Sequence, residues 1–374
     1  APNYDPALLV GRERSKNYTQ LDADSIAKPL FDRVLLGEYA PGSPFKALTS
    51  LIALQEGVVT TENKVYCNGG YRYGGKKPLG CHHHKSPVQL ISGIAYSCNS
   101  YFATVYRNTI DKYETPQEGI DRWKEHLASF GLGDFMGYDL PTGKKGLIPS
   151  ADRYNKIYNY PTYRWGTTAT ISNAIGQGEV LMTPMQMVNF TTAIANRGWF
   201  YKPHIIKNIT GVDTIPSKYK EKQVTTIDPR HFGPVVQGLN DVYNYGTANF
   251  LKVPGIEICG KTGTAENSMK IGGRTVQLTD HSVFIAFAPK DNPKIAIAVF
   301  VENGYWGARF GGRIASIMIE KYIKGEVTRK DLENWVLTHS LEEEYEKPLL
   351  GRPFPINDGK KISAKFLAEE NQEL

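Results

Sequence analysis

The segment Gly255-Ile-Glu-Ile-Cys-Gly-Lys-Thr-Gly263 (GIEICGKTG) admits two incompatible readings. From Gly255 to Thr262 it fits G-x-x-x-x-G-K-T, the loop that cradles nucleotide phosphates. From Lys261 it is a Lys-Thr-Gly triplet. A phosphate loop needs an apolar strand running into its first glycine and a helix starting at its lysine. Here Asn249-Phe-Leu-Lys-Val-Pro254 comes first, and a proline directly ahead of Gly255 makes a poor strand end. Ile256-Glu-Ile-Cys259 alternates and is β-branched, which suits a strand. The stretch after Thr262 contains Gly272-Gly273 and makes a poor helix. Glu302, closing an apolar run, imitates a metal-binding acid, but acids at strand ends are common. The segment therefore reads as a strand that carries Lys-Thr-Gly at its end.

A strand lysine of this kind invites a search for a nucleophile, and Ser-x-x-Lys occurs three times. Ser25–Lys28 sits in a polar segment ended by Pro29, and Ser217–Lys220 lies in an exposed Pro-Ser-Lys-Tyr-Lys run. Ser43–Lys46 differs. It opens Pro44-Phe-Lys-Ala-Leu-Thr-Ser-Leu-Ile-Ala-Leu-Gln-Glu56, which predicts a helix with Ser43 as N-cap, Pro44 in the first turn and Gly57 as stop. The helix is apolar nearly all round, so it should be buried. Lys46 is then the only cation inside it, on the face of Ser43. Burial disfavours an ammonium, and a neutral amine one turn from a hydroxyl can take its proton. The alternative is a snorkelling lysine behind a capping serine.

The chain has 374 residues, 41% hydrophobic and 22% charged, with net charge +6. That is globular composition for one large or two medium domains. No Lys/Arg cluster argues for nucleic acid. No apolar run reaches the length of a membrane span, and no signal peptide is recognisable. Four cysteines are too few for a disulfide scaffold.

Along the chain, residues 1–40 show no clear period and 64–86 read as a loop rich in Gly, Tyr, Cys and His. Two helical segments flank a break at Ser97-Cys98-Asn99. Residues 133–170 read as irregular. Thr183 to Gly198 predicts a capped helix. Period-2 and β-rich segments then dominate: 256–262, 282–289 and 295–303, the last two joined by the hairpin signal Lys290-Asp-Asn-Pro-Lys294. Residues 313–323 close as a helix. The expected class is α+β, an antiparallel sheet flanked by helices, with a helix-rich subdomain at about 45–200.

Ser43-x-x-Lys46, Ser97-x-Asn99 and Lys261-Thr-Gly263 appear in chain order on a helix start, an interhelical break and a strand end. That set is the signature of penicillin-binding proteins and serine β-lactamases. The chain resembles the class B penicillin-binding transpeptidases, of the penicillin-binding protein 2 kind. The likeness extends to Leu30–Lys46, to the Gly176-Gln-Gly178 segment with its following helix, and to 246–266 and 281–304. It covers most of residues 30–325.

The resemblance implies a transpeptidase domain over 1–326, with a charged C-terminal extension at 327–374. It implies Ser43 as nucleophile, Lys46 as its base and Ser97 as proton relay to the leaving amine. Asn99 would hold the substrate amide. Lys261, Thr262, Gly263 and Thr264 would form the carboxylate and oxyanion side, with the backbone N–H groups of Ser43 and Thr264 as oxyanion hole. His281 reads as structural. The implied reaction crosslinks peptidoglycan stem peptides through an acyl-enzyme that β-lactams mimic, on the periplasmic face of the cytoplasmic membrane. A glycan polymerase of the SEDS type is the implied partner. A membrane anchor and pedestal domain are expected in the full-length protein, outside these residues. A D,D-carboxypeptidase or a β-lactam sensor would share the chemistry. A β-lactamase would need a water-activating carboxylate, for which Glu179 is the one candidate.

One cluster remains. Cys67 and Cys81 bracket a glycine-rich loop, His82-His-His84 follows at once, and Cys98 is the middle of the second triplet. Thiolate and imidazole are favoured zinc ligands, and four make a closed site. The resemblance to the penicillin-binding protein 2 group, where a metal ties this loop to the triplet and acids stand at the Cys67 and Cys81 positions, implies a structural zinc on Cys67, Cys81, His84 and Cys98. His82 is the second choice of histidine. A Cys67–Cys81 disulfide with Cys98 buried is the alternative. Cys259 is expected in the strand core.

Overall fold

The computed structural model describes residues 3–25, 27–74, 78–211, 214–271 and 274–340, with 356–357 and 360–361 beyond them. At its centre lies the helix Lys46–Gln55, in which nine of the ten residues are buried. It is entered through a short 3-10 turn, Ser43–Phe45. The expected N-cap differs: Gly42 occupies the cap position, at φ +61°, and no side chain caps the turn. The Ser43 hydroxyl therefore stays free of the backbone.

The helices Asn99–Asp111, Pro116–Ala128 and Phe232–Asn244 pack around this rod. Only the first falls where the sequence predicts a helix. Phe232–Asn244 lies in a stretch expected to be β-rich, and Ala151–Ile157 interrupts the expected irregular region. Arg14–Ala23 is helical in the segment without clear period. The break expected at 97–99 falls between the helices Leu90–Ala95 and Asn99–Asp111. Within the Gly/Tyr-rich loop, Gly70–Tyr71 pairs with Leu79–Gly80 in a small hairpin.

The α+β expectation holds. A three-stranded antiparallel sheet runs Cys259–Ala265, His281–Ala288, Ile295–Val301, with the second strand in the middle. Lys261 pairs with Ile285 and Ala265 with His281. Pairing runs through Lys261-Thr-Gly263, so the Lys-Thr-Gly triplet sits in a strand and not in a phosphate loop. Burial along the first two strands is continuous rather than alternating. That pattern requires cover on both faces. The helices Phe232–Asn244, Pro184–Ala195 and Gly311–Lys324 supply it. Pro184–Ala195 carries the predicted Thr183 cap, completed as a capping box by Gln186. Cys259 is fully buried in the strand, as expected.

The helix Lys330–Thr338 lies within the expected C-terminal extension and stacks Trp335 on Phe310 and under the Arg313 guanidinium. The rest of that extension, past Ser340, lies outside the described residues except for one short strand pair. Among the described residues no helix is long and apolar enough to cross a membrane.

The far end of the central helix is pinned by one carboxylate. Glu56, at the C-cap, bonds Lys112 at 2.7 Å, Tyr113 at 2.7 Å and His126 at 2.8 Å, and faces Arg122 at 3.5 Å. Burial pushes its pKa up, but these partners outweigh burial and hold it at about 2 instead of 4.5. A depressed carboxylate stabilises the fold above its unfolded pKa, and that stability is lost as pH falls from about 4.5 towards 2. Lys112 and Arg122 are half-exposed and can turn to water, whereas His126 cannot. Glu56→Ala is therefore expected to cost about 2 kcal/mol, the penalty for one buried orphaned group. Denaturant unfolding at pH 7 measures it. The gap between variant and wild type should shrink as pH drops below 4.

Candidate active site

Ser43, Ser97, Asn99, Thr262, Gly263 and Thr264 line one cleft of about 920 Å³, with Lys46 and Lys261 buried at its floor. The other two Ser-x-x-Lys pairs sit elsewhere: Ser25, Lys28, Ser217 and Lys220 are all exposed and line no part of it.

Two close approaches bring the serine turn against the strand. A Cβ on Gly263 would stand 2.3 Å from Pro44 Cδ, so only glycine lets the turn lie on the strand. Gly42 meets the same demand twice over, because its φ is left-handed and a Cβ there would stand 2.9 Å from Thr264 O. Gln177, in the Gly-Gln-Gly segment, donates to Thr264 O at 3.1 Å, and Gly42 N–H donates to Gly176 O at 2.9 Å. Three distant parts of the chain thus fix the position of Ser43.

Lys46 has no exposed surface. Its Nζ donates to Ser97 O at 2.8 Å, Ser97 Oγ at 3.0 Å and Asn99 Oδ1 at 2.5 Å. Burial pulls its pKa from 10.5 down to about 7. Ser97 Oγ in turn donates to Ser43 Oγ at 3.1 Å. The link from Lys46 to Ser43 therefore runs through Ser97, and no direct Lys46–Ser43 hydrogen bond is present among the described residues. Ser97 reaches both through a left-handed backbone, φ +57°, unusual for a residue with a Cβ. Such a conformation costs on the order of 1 kcal/mol and persists only where neighbours hold it. Here Ser97 N–H bonds Ile94 O, Cys98 N–H bonds Gly93 O, and Lys46 takes the Ser97 carbonyl.

Lys261 is also fully buried and donates to Thr262 O at 3.1 Å. Burial, with the charge of Lys46 adding to it, pulls its pKa well below 10.5. Neither lysine has a carboxylate partner among the described residues. An anionic group entering the cleft would supply one. Thr262 Oγ1 lies 2.7 Å from Thr247 Oγ1. Thr247 belongs to no motif that a sequence search would single out, and the same holds for the cleft residues Tyr73, Trp306 and Asp280. His281 accepts the Asn303 N–H through Nδ1 and packs on Phe300, outside the cleft lining. Glu179 accepts the Tyr154 hydroxyl at 2.8 Å and does not line the cleft either.

Behind the Ser97-Cys98-Asn99 triplet, the ligand atoms of Cys67, Cys81, His84 and Cys98 lie within 4.8 Å of one another. His82 lines the cleft instead. All four cysteines are free thiols in this arrangement. Cys81 Sγ is 3.4 Å from His84 Nε2, whose other nitrogen meets Lys85 O at 2.7 Å. Cys81 Sγ accepts the Asn99 N–H and Cys98 Sγ the Tyr101 N–H, each at 3.3 Å. The hydrogen bond between the two thiols holds Cys81 well below the ordinary thiol range and, with burial, pushes Cys98 well above it. A tetrahedral zinc–thiolate site, with bonds near 2.3 Å, places its ligand atoms roughly 3.8 Å apart. The cluster fits a metal ion with little adjustment, and its sulfurs already receive the N–H bonds that thiolates favour.

A family profile for the penicillin binding protein transpeptidase domain matches residues 1–324. The chain belongs to the penicillin-binding protein transpeptidase family. It is 30% identical over 342 residues to the peptidoglycan D,D-transpeptidase MrdA of Acinetobacter baumannii, covering 88% of this chain and 48% of that protein. The chain spans about half the length of the curated relatives it matches. Among solved structures, Pseudomonas aeruginosa PBP2 in complex with WCK 5153 superposes with a TM-score of 0.70 at 30% identity, over 88% of this chain and 72% of that one. The ceftriaxone acyl-enzyme of penicillin-binding protein A from Mycobacterium tuberculosis gives 0.68 at 25% identity, over 86% and 70%.

Proposed function

We propose that this chain is the catalytic domain of a peptidoglycan D,D-transpeptidase that works through an acyl-enzyme on Ser43. The observation that carries the reading is the hydrogen-bonded line Lys46–Ser97–Ser43, set in a cleft whose other wall is the Lys261-Thr-Gly263 strand. Hydroxyl protons rotate, so the same contacts serve in the reverse sense. Ser43 gives its proton to Ser97 Oγ as Ser97 gives its own to a neutral Lys46. Ser43 Oγ then attacks the penultimate D-Ala carbonyl of a stem peptide. The C–N bond breaks, and the departing D-Ala takes the proton back through Ser97. An amine of a second stem attacks the ester, the crosslink forms and Ser43 is restored.

The backbone N–H groups of Ser43 and Thr264, on either side of the Gly42–Thr264 contact, receive the oxyanion in this mechanism. Asn99 holds the substrate amide while its Oδ1 fixes Lys46. Lys261, Thr262 and Thr264 take the terminal carboxylate, and that anion supplies the counter-charge Lys261 lacks. β-Lactams acylate Ser43 as mimics of D-Ala-D-Ala. The substrate puts the enzyme at the bacterial cell wall, outside the cytoplasmic membrane, and likeness to the family, one solved neighbour of which belongs to a peptidoglycan synthase complex that couples polymerization and crosslinking, supports a SEDS-type glycan polymerase as partner.

Cys67, Cys81, His84 and Cys98 hold a structural zinc in this reading. The support is the mutual reach of the four ligand atoms and the chemistry of the set, three sulfurs and an imidazole. When bound, the metal supplies cross-linking of the 64–86 loop to the catalytic triplet and no acid–base chemistry.

Four outcomes test these assignments. Ser43→Ala should abolish covalent labelling by a fluorescent penicillin, whereas Ser25→Ala and Ser217→Ala should label normally; labelling that survives Ser43→Ala would sink the assignment. Transfer of an acylated stem peptide to an amine, rather than to water, then separates a transpeptidase from a carboxypeptidase or a sensor. The penicillin acylation rate should climb as pH rises through about 7, because the base must be the neutral amine of Lys46 and burial sets its pKa there. A rate that is flat from about pH 5.5 to 8.5 would remove Lys46 from that role. Protein purified without added metal should carry about one zinc per chain. Chelation should lower its melting temperature and slow acylation. Absence of metal together with a Cys67–Cys81 disulfide in a peptide map would replace the zinc with the disulfide.

A further inference from the structure

Zinc does not require thiolates at every position, since a carboxylate ligates it as well. Three sulfurs within one ligand shell add chemistry that carboxylates lack, namely two-electron oxidation to a disulfide. The three sulfurs here are not equivalent. Cys98 is fully buried and caps the helix Asn99–Asp111 through its bond from Tyr101 N–H. Cys67 and Cys81 are only partly buried. Cys67 Sγ touches Ser100 Oγ at 3.2 Å, and Cys81 Sγ receives the Asn99 N–H. Asn99 Oδ1 accepts from Lys46 Nζ, and Asn99 Nδ2 donates to Gly80 O at 2.6 Å, next to Cys81. One thiolate reachable from outside is thus two hydrogen bonds from the amine of Lys46.

We propose that Cys67 and Cys81 form an oxidative modification site, in which their conversion to a disulfide expels the metal and loosens Asn99 from Lys46. This rests on the zinc reading above and goes beyond it. The oxidant is a hypohalous acid. One thiolate attacks chlorine and forms a sulfenyl chloride with release of hydroxide. The second thiolate then displaces chloride and closes the S–S bond. Two thiolates and one hypochlorous acid give one disulfide, one chloride and one hydroxide. The two electrons pass from sulfur to chlorine, and zinc departs as the hydrated dication. The two sulfurs start within 4.8 Å and must close to about 2.0 Å. The disulfide sulfur that replaces Cys81 thiolate is a far weaker acceptor for the Asn99 N–H. The catalytic loop loses its metal anchor and that bond in the same event.

The test uses the zinc-loaded chain, titrated with hypochlorous acid up to one equivalent. A chromogenic chelator reads released zinc, peptide mapping reads disulfides, and penicillin acylation reads the cleft. Expected are stoichiometric zinc release, a Cys67–Cys81 disulfide, and acylation slowed roughly tenfold, the usual scale for losing support around a metal site. Dithiothreitol with zinc should restore the rate. Joint replacement Cys67→Asp and Cys81→Asp keeps carboxylate metal ligands but removes both sulfurs reachable from outside, leaving only the buried Cys98. Whatever its starting rate, that variant should release no zinc and slow no further at one equivalent. Cys259→Ala should respond like the wild type. A zinc-containing chain that keeps both its metal and its acylation rate at one equivalent of oxidant overturns this proposal and leaves the zinc reading intact. So does zinc release with unchanged acylation, a Cys81–Cys98 disulfide in place of Cys67–Cys81, or equal sensitivity of the doubly substituted chain. A chain that purifies without zinc overturns both.

Discussion

The amine of Lys46 is the constraint around which the rest is arranged. Moving its pKa from 10.5 to about 7 corresponds to roughly 5 kcal/mol of disfavour for the ammonium. An isolated amine in that position would be a liability. Here it meets three oxygen acceptors, two of them from Ser97 and one from Asn99. The two from Ser97 go with its left-handed backbone, from which both its carbonyl and its hydroxyl face the lysine. The apolar wall around the helix Lys46–Gln55 keeps water out and so keeps the proton affinity low. Proton affinity and core packing are therefore the same feature at this position, and the apolar pattern of the helix is part of the chemistry.

The second requirement is that two separately built halves meet within fractions of an ångström. The serine turn belongs to the helical layer, and Lys261-Thr-Gly263 to the sheet. Their contact is a backbone-to-ring approach that any side chain on Gly263 would prevent. Gln177 crosses from a third segment to the Thr264 carbonyl. Glu56 fixes the other end of the helix to two neighbouring helices, so the rod that carries Lys46 is held at both ends.

Most of this is legible in the sequence, for identifiable reasons. The central helix, the capped helix at 184–195 and the strands His281–Ala288 and Ile295–Val301 have clean apolar patterns; the first strand, expected at 256–262, instead runs Cys259–Ala265, so the alternating Ile256-Glu-Ile258 lies before it and Lys261-Thr-Gly263 sits within the strand and not at its end. Phe232–Asn244 is not legible. It holds two glycines, a proline and five β-branched or aromatic residues, which lower its intrinsic propensity. Burial against the first strand and the helix Leu90–Ala95 overrides that preference. The cap expected at Ser43 fails for a related reason. A serine before a helix signals a cap by composition, but whether its hydroxyl turns inward depends on the residue before it. Gly42, at positive φ, turns the chain so that the hydroxyl faces Ser97. Thr247 lies in a stretch of family likeness, but none of the three catalytic triplets contains it, and its proximity to Thr262 arises only from tertiary folding.

The triplet Ser97-Cys98-Asn99 shows how a loop at a cleft can be held from behind. Ser97 and Asn99 face the cleft, and Cys98 between them points into the cluster of sulfurs. Asn99 is the first residue of a helix, where the leading N–H groups have no partners within the helix. A serine or aspartate at the cap would ordinarily accept one of them. Here the acceptors are sulfurs, with Cys81 taking the Asn99 N–H and Cys98 the Tyr101 N–H. A helix start favours negative charge, which suits the Cys81 thiolate, whereas its hydrogen bond to Cys81 and burial hold Cys98 in the thiol form until a metal takes its proton's place. Accepting a helix-start N–H and ligating a metal thus fall to the same two atoms. Cys98 therefore stands where a polar cap would be expected, with Cys81 brought beside it from the 64–86 loop, directly beneath the residues that hold Lys46.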